Sequence, residues 1–267
     1  TPVDLLIEAR WIIPVEPDDT TLEHHAIAVE RGKIVAILPL ADARARYMAA
    51  KTVSLPEHVL IPGLVNLHCH AAMTLMRGLA DDLPLMRWLQ EAIWPTEARH
   101  TSHAFVRDGS LLAGAEMLRG GITTCNDMYF FPEATAEAFD RLGLRAVLGI
   151  TLLEFPSQYA ADADDYLRKG LATHDAWRDH PLIRFTLAPH APYTVSNTSF
   201  ERIGALADEL ELPIHIHLHE TAGEIADSLR DFGQRPIARL ESLGILGPNL
   251  IGVHAVHLTP EDMERLA

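Results

Sequence analysis

Two histidines separated by one residue, His68 and His70, directly follow an apolar run with the pattern of a buried β-strand. Because side chains alternate between the two faces of a strand, both imidazoles should point to one face and Cys69 to the other. Imidazole nitrogens bind zinc, iron and other first-row metals, so this pair could form half of a metal site. An isolated pair is equally compatible with two hydrogen-bonded polar residues at a strand end.

A second histidine-rich segment, residues 214–220, makes a metal site the favoured interpretation. Alternation predicts that His215, His217 and His219 share one face of a strand, and only some of them can reach the same metal. His217 is followed three residues later by Glu220, which pairs a metal ligand with a carboxylate suited to general acid and base catalysis. We expect His215 and His219 to be core residues or to support the ligands.

Two further histidines are candidates for the same site. His254 lies within a strand-like segment, whereas His257 lies past its end, so His254 is favoured and His257 is expected to have a capping or structural role. His190 lies in a turn flanked by prolines, which restrict the direction of its imidazole. Substrate contact and a structural hydrogen bond are equally compatible with its position. None of the three lysines ends a predicted strand, so one metal is favoured over a lysine-bridged pair.

These residues follow apolar strand-like segments that alternate with helix-like segments. Strands are predicted at residues 60–67, 122–129, 145–153, 183–189, 214–218 and 250–256, and helices at residues 105–119, 133–141, 162–177, 199–210 and 225–243, with a further helix starting within 259–267. Polar residues from several strand ends meet at one rim in a (β/α) barrel. No Gly-rich phosphate loop follows these strands, which disfavours a doubly wound sheet. The predicted fold class is therefore α/β, a TIM-type barrel over residues 60–267 with about six of its eight strands.

The first 59 residues differ from this pattern, because short β-type runs at residues 3–9 and 26–29 are separated by polar segments. They are predicted to be the N-terminal part of a small β-sandwich domain. Gly32 can supply the positive φ of a tight hairpin turn between residues 26 and 38. A helix is predicted over residues 41–50 because this segment is rich in helix formers.

The composition restricts the classes of partner. The 267 residues are 48% hydrophobic and 22% charged, which is the composition of a globular protein rather than a disordered one. A formal net charge of -15 would repel nucleic acids and anionic membranes, so a small molecule is the expected partner. With two cysteines and no basic, apolar leader, a reducing cytoplasm is the expected location.

The motifs around these candidates resemble those of the amidohydrolase superfamily. The resemblance is carried by residues 62–70, which end in His68-Cys69-His70, and by residues 73–78. More narrowly, the segments 88–89, 94–97, 126–130, 189–193 and 217–221 resemble the 5-methylthioadenosine/S-adenosylhomocysteine deaminases.

The resemblance implies that His68, His70 and His217 bind one divalent metal, usually zinc with Fe²⁺ as the alternative. Glu220 would then be the proton shuttle, and His254 would orient or deprotonate the metal-bound water. The residues implied to line the substrate pocket are Trp88, Glu97 and His190. The implied reaction is hydrolytic deamination of 5-methylthioadenosine or S-adenosylhomocysteine by attack of hydroxide on purine C6, which releases ammonia and the inosine analogue.

Other functions on the same scaffold stay open at this point. Guanine deaminases and triazine hydrolases share much of the metal framework, and a catalytically inactive relative would keep the barrel. Trp88 and Glu97 favour a nucleoside, whereas Glu220 and His254 favour an active enzyme. The family pattern also has a metal-binding aspartate at the end of the eighth strand, which follows the residues of this sequence. We therefore expect a further C-terminal part of the polypeptide, and we expect residues 1–267 alone to be poorly folded or inactive; a homo-oligomer is compatible with these features.

Overall fold

The computed structural model describes all residues from Thr1 to Ala267, which form two compact units, Thr1–Gly63 and Leu64–Ala267. The strands are β1 Pro2–Ile12, β2 Leu22–Glu30, β3 Lys33–Pro39, β4 Met48–Leu60, β5 Leu64–Cys69, β6 Ile122–Asp127, β7 Arg145–Leu152, β8 Ile183–Pro189, β9 Ile214–Leu218 and β10 Leu250–His254. The helices are α1 Leu40–Arg46, α2 Leu85–Arg87, α3 Trp94–His100, α4 His103–Arg119, α5 Pro132–Leu142, α6 Ala163–Trp177, α7 Asn197–Leu210, α8 Ala222–Phe232, α9 Pro236–Ser242 and α10 Pro260–Leu266. A 3₁₀ helix covers Ala71–Met76 and a π-helical turn covers Trp88–Ile93.

The first unit is a four-stranded sheet in the order β3-β2-β1-β4. Strands β1 and β2 pair antiparallel, β2 and β3 form the predicted hairpin, and β4 pairs parallel to β1. Gly32 lies in the hairpin turn with φ +73°, a left-handed conformation that glycine adopts without a steric cost. Val3, Leu6 and Ala28 are buried in a small core on this sheet.

The helix predicted over residues 41–50 is wrong in its second half. Helix α1 ends at Arg46, Tyr47 is extended with φ -115° and ψ 139°, and β4 begins at Met48. The alanines at positions 49 and 50 are strong helix formers, but intrinsic propensity amounts to less than about 1 kcal/mol per residue. Pairing of β4 along the length of β1 supplies backbone hydrogen bonds to this segment, and this tertiary pairing overrides the local preference.

The second unit contains a six-stranded parallel sheet in the order β10-β9-β8-β7-β6-β5. Neighbours in the sheet are therefore also consecutive strands of the chain, with helices between them. A doubly wound sheet would reverse its strand order at a switch point, whereas a (β/α) barrel adds its strands in sequence. All six carboxyl ends consequently lie at the same rim.

Several predicted boundaries in this unit need correction. The strand predicted at residues 60–67 is two strands, because Pro62 has no amide hydrogen to donate to a ladder and β5 begins only at Leu64. The helix predicted at residues 225–243 is also two helices: α8 ends at the left-handed Gly233, and Pro236 begins α9. Strand β6 ends at Asp127 rather than at residue 129, and β10 ends at His254 rather than at residue 256.

The core of the second unit lies between the sheet and its helices. Leu148 and Ile150 of β7, Leu187 of β8 and Ile216 of β9 are almost completely buried. Removing each such side chain from water contributes about 1.5–3 kcal/mol to stability. None of the helices combines the length and the apolar character that crossing a bilayer requires.

The segment that follows His70 is held by close packing against α4. A Cβ atom on Gly109 of this helix would lie 2.6 Å from the carbonyl oxygen of Ala72, so only glycine allows the backbones to approach this closely. The carboxylate of Asp127 accepts a hydrogen bond from the amide of Ala71 at 2.6 Å. Both contacts fix the chain at the point where it leaves the histidine pair.

Candidate metal centre and active site

Three of the predicted ligands come together at the rim of the parallel sheet. The candidate ligand atoms of His68, His70 and His217 all lie within 4.8 Å of one another. The Nε2 atoms of His68 and His217 are 3.2 Å apart. Two nitrogens bound to one tetrahedral zinc at about 2.0–2.1 Å would be separated by about 3.4 Å. The spacing of the three imidazoles therefore fits a single shared metal ion.

The other ring nitrogen of each ligand has its own partner. His70 Nδ1 lies 2.5 Å from the carbonyl oxygen of Met128, and His217 Nδ1 lies 2.9 Å from the carbonyl oxygen of His190. His68 Nδ1 lies 3.0 Å from Nε2 of His215. A carbonyl oxygen can only accept, so Nδ1 of His70 and of His217 must carry the proton. The Nε2 lone pair is then free to bind a metal.

The electrostatics of the cluster also favour metal binding. Burial, and next the neighbouring His70, lower the pKa of His68 to about 3. Burial is also the main cause that lowers the pKa values of His70 and His217. All three rings are therefore neutral near pH 7, and the neutral imidazole is the form that binds a metal ion.

Glu220 and His254 lie next to this cluster. Glu220 follows β9, and its main-chain amide donates to the Glu224 carboxylate at 2.8 Å, which fixes the turn that carries it. His254 Nε2 is 3.5 Å from Glu220 Oε1, and its ring stacks on that of His217 with centroids 5.4 Å apart. Burial raises the pKa of Glu220, although the nearby His254 opposes this shift. The two side chains thus lie close to each other beside the candidate metal ligands.

The backbone at the end of β10 has an unusual conformation. His254 and Ala255 have φ values of 73° and 50°, in the left-handed region that is disfavoured for residues with a Cβ atom. Hydrogen bonds from the amides of Ala255 and Val256 to the carbonyl oxygens of Leu218 and His219 hold this turn in place. The fold therefore maintains a strained conformation at the residue that contacts Glu220.

The three predicted pocket residues line one cavity together with His70. Trp88, Glu97 and His190 all face this cavity, although they come from distant parts of the chain. Glu97 accepts a hydrogen bond from the Tyr129 hydroxyl at 2.7 Å. Burial raises the pKa of Glu97 to about 7 and lowers the pKa of His190 to about 3. His190 is therefore neutral at pH 7, whereas Glu97 can lose or keep its proton near this pH.

His219 does not join the cluster and is buried, as expected for a core residue, although alternation placed it on the same face as His217. Strand β9 ends at Leu218, and His219 has φ +53°, which turns its ring away from that of His217. Its Nδ1 lies 3.2 Å from the carbonyl oxygen of His257, and its Nε2 accepts from the amide of Ile237 at 3.1 Å. His219 is a buried residue that connects α9 to the chain after β10, and His257 contributes through its main chain.

Two residues contribute to the site although the sequence assigned them no role. Tyr129 is buried and holds the carboxylate of Glu97, and Asp127 holds the main chain after His70. Burial raises the pKa of Asp127 to about 6. Asp127 ends β6, and the sequence already places it among the polar strand-end residues at the rim; Tyr129 follows two residues later. Their partners were not predictable, because they are distant in sequence.

A parallel barrel sheet with a histidine cluster at its carboxyl rim defines the class of protein as a (β/α)-barrel protein with a candidate metal centre. A family model described as the amidohydrolase family matches residues 59–267. The chain belongs to the amidohydrolase family, and both the resemblance and the fold class predicted from the sequence are confirmed.

Individual relatives are similar over the entire chain. A 5-methylthioadenosine/S-adenosylhomocysteine deaminase from Saccharophagus degradans is 47% identical over 266 residues, which are 100% of this chain and 60% of the relative. Its counterpart from Teredinibacter turnerae is 45% identical over 267 residues, again 60% of the relative. The chain thus spans 60% of the length of these curated relatives.

Solved structures give the same picture. A crystal structure of an adenosine deaminase from Xanthomonas campestris with bound zinc has a TM-score of 0.96 and 52% sequence identity; the match covers 99% of this chain and 60% of that one. Atrazine chlorohydrolase from Arthrobacter aurescens, in complex with zinc, has a TM-score of 0.88 but 22% identity, over 98% of this chain and 63% of that one. The second similarity supports the fold alone.

Removal of one imidazole should strongly weaken metal binding. His217→Ala is expected to weaken zinc affinity by more than the roughly 10- to 100-fold that follows loss of a residue supporting a ligand. Elemental analysis of the purified full-length protein, with chelator competition, measures this effect. His257→Ala is the matched control, because this residue acts through its carbonyl oxygen. Equal zinc content in the two variants would contradict the assignment of His217.

Glu97 should make stability depend on pH. The folded protein holds a proton on Glu97 up to about pH 7, whereas an unfolded chain releases it near pH 4.5. Stability must therefore fall as the pH rises through this window, because the unfolded state binds fewer protons there. Glu97→Gln removes this loss. The free energy of unfolding of the variant relative to the wild type should therefore be higher at pH 8 than at pH 4, by about 1–3 kcal/mol.

Chemical denaturation of Glu97→Gln and wild type at the two pH values measures this difference. Glu201→Gln, on the exposed surface of α7, is the control and should give no pH-dependent gain. If the difference in free energy of unfolding between Glu97→Gln and the wild type is the same at both pH values, this carboxylate does not titrate in the window.

Proposed function

We propose that the polypeptide containing this chain is a metal-dependent aminohydrolase that deaminates an adenosine-type nucleoside. We propose 5-methylthioadenosine and S-adenosylhomocysteine as its substrates, in agreement with the names of the relatives at 45–47% identity. The observation that carries the proposal is the convergence of three imidazoles beside a cavity lined by Trp88, Glu97 and His190. The products would be ammonia and the inosine analogue.

His68, His70 and His217 would hold one divalent ion, with zinc favoured by analogy to the Xanthomonas protein. A zinc ion held in this way would act as a Lewis acid and would lower the pKa of a water molecule to about 7. The chain contributes three neutral ligands whose Nδ1 atoms are already engaged, so the Nε2 atoms need no reorientation on binding.

Glu220 and His254 would move the protons. Because its pKa is raised, Glu220 can hold a proton more readily than an exposed carboxylate and give it to the purine ring nitrogen next to C6. That proton makes C6 more electrophilic as water adds to it. His254, 3.5 Å from Glu220, would take up the proton that the attacking water loses and pass it to the now ionised Glu220. Glu220 would then give this proton to the amino group, so that the C6–N bond breaks and ammonia leaves. The C6 hydroxyl becomes a carbonyl, and the proton that it loses restores the protonated form of Glu220.

The cavity residues would select and orient the nucleoside. The Glu97 carboxylate, held on one oxygen by Tyr129, would accept hydrogen bonds from ribose hydroxyls. Those donors would favour the ionised form of a group whose pKa is already near 7. Trp88 would pack against the 5′ substituent, and His190, whose Nδ1 is engaged by Thr194 at 3.0 Å, would offer Nε2 to the base.

The organisation of the polypeptide is part of the same proposal. Residues 1–59 would be the N-terminal part of a small β-domain and residues 60–267 would belong to the catalytic barrel. A small nucleoside is the proposed partner, without nucleic acid or membrane. A homo-oligomer and a cytoplasmic location remain predictions from the sequence.

The deciding assay is ammonia release from 5-methylthioadenosine, S-adenosylhomocysteine, adenosine and guanine by the full-length, zinc-loaded protein. We expect turnover of the adenine nucleosides. Absence of ammonia release from every adenine nucleoside would overturn the proposal. Release from guanine alone would identify the enzyme as a guanine deaminase instead.

Glu220→Gln tests the proton-transfer step separately. Glutamine keeps the size of the side chain but cannot shuttle a proton, so turnover should fall by roughly 100-fold or more. Zinc content should stay near that of the wild type, because Glu220 is not assigned as a ligand. Glu264→Gln, exposed on α10, is the control. Unchanged turnover in Glu220→Gln would remove this residue from the mechanism.

A further inference from the structure

One buried histidine outside the ligand set contacts a ligand directly. His215 lies in β9, two residues before His217, and its side chain is completely buried. Its Nε2 lies 3.0 Å from Nδ1 of His68, on the opposite side of the His68 ring from the Nε2 atom that approaches His217. His68 is therefore engaged at both ring nitrogens.

This contact differs in kind from the anchors of the other two ligands. His70 and His217 direct Nδ1 at main-chain carbonyl oxygens, which accept hydrogen bonds whatever the side chains are. His68 directs Nδ1 at a side chain, and that side chain can be either donor or acceptor. The orientation of His68 therefore depends on the identity of the side chain at position 215. The orientations of His70 and His217 do not depend on any one side chain in this way.

The positions of the protons follow from this geometry. A neutral imidazole has one N–H group, so His68 can offer the Nε2 lone pair to a metal only with its hydrogen on Nδ1. That hydrogen needs an acceptor, and His215 Nε2 can accept only if His215 carries its own hydrogen on Nδ1. Nδ1 of His215 is buried without a protein partner, an arrangement that costs stability. The packing of the ring alone does not account for this cost, because an apolar ring would fill the same space without it.

We propose that His215 is a positioning residue for the metal centre, which fixes the tautomer and the ring orientation of His68 by accepting its Nδ1 hydrogen. The inference rests on the proposed metal site but not on the identity of the substrate. A purely structural histidine at this position would be replaceable by any ring of similar size, whereas a positioning residue needs an acceptor atom at the place of Nε2.

Two substitutions separate these roles. His215→Phe keeps a flat ring and removes the acceptor, whereas His215→Gln can place its amide oxygen near the position of the imidazole Nε2. We expect His215→Phe to weaken zinc binding by roughly 10- to 100-fold, as for other residues that orient a ligand histidine. His215→Gln should stay within a few-fold of the wild type. Thr186→Val, which removes another buried and unpartnered polar atom, is the control for core perturbation.

The measurement is the zinc dissociation constant of the purified full-length protein, obtained by competition with a chelator and without nucleoside. Loss of affinity in His215→Phe together with retention in His215→Gln supports the proposal. Wild-type affinity in His215→Phe, or equal losses in both variants, overturns it. Because no substrate is present, failure of the deaminase assignment leaves this result unchanged, and His217→Ala reports independently on whether the metal site exists.

A measurement on the wild type covers the case in which His215→Phe does not fold. Nitrogen-15 NMR of histidine-labelled, zinc-loaded protein distinguishes the two tautomers of each ring. The proposal requires the hydrogen of His215 on Nδ1 and a bare Nε2. A hydrogen on Nε2 of His215 would overturn it, since this nitrogen could then not accept from His68.

Discussion

The structure of the site depends on one constraint: three buried imidazoles must stay neutral and direct the same ring nitrogen toward one point. Protonation of any of them would bring a charge into a poorly hydrated space beside two other rings, and burial accordingly lowers their pKa values. Neutral rings still have two tautomers, so burial alone does not select Nε2. The selection comes from the groups that meet each Nδ1 atom. For His70 and His217 these groups follow the adjacent strand, whereas His68 meets His215 of β9, a strand that is not adjacent to β5.

The order of strands in the sheet explains how these groups are supplied. His70 follows β5, and its anchor, Met128, follows the adjacent β6. His217 lies in β9, and its anchor, His190, follows the adjacent β8. In a parallel sheet with sequential strand order, the residue after one strand end meets the residue after the next. The register of the backbone hydrogen bonds therefore sets the geometry of His70 and His217, and the close contact of Gly109 with Ala72 holds the chain after His70.

Much of this arrangement follows from local patterns in the sequence. Strands β8 and β9 have the bounds that their apolar runs predict, and the alternation of His68 and His70 places both on one face. The pattern fails where a distant contact decides the conformation. Residues 48–60 form a strand because β1 lies beside them, and His219 turns away because β9 ends one residue earlier. The hydrogen bond from Tyr129 to Glu97 and the contact between His215 and His68 join residues that are 32 and 147 positions apart, so no local pattern indicates them.

The most direct test of the central claim is a crystal structure of the zinc-loaded, full-length protein with anomalous diffraction collected at the zinc edge. The account predicts one anomalous peak at about 2.0–2.1 Å from Nε2 of each of His68, His70 and His217. It also predicts that the Nδ1 contacts to Met128, His190 and His215 persist in the presence of the metal. A zinc ion bound through the Nδ1 atom of any of these histidines, or located away from the three residues, would contradict the account.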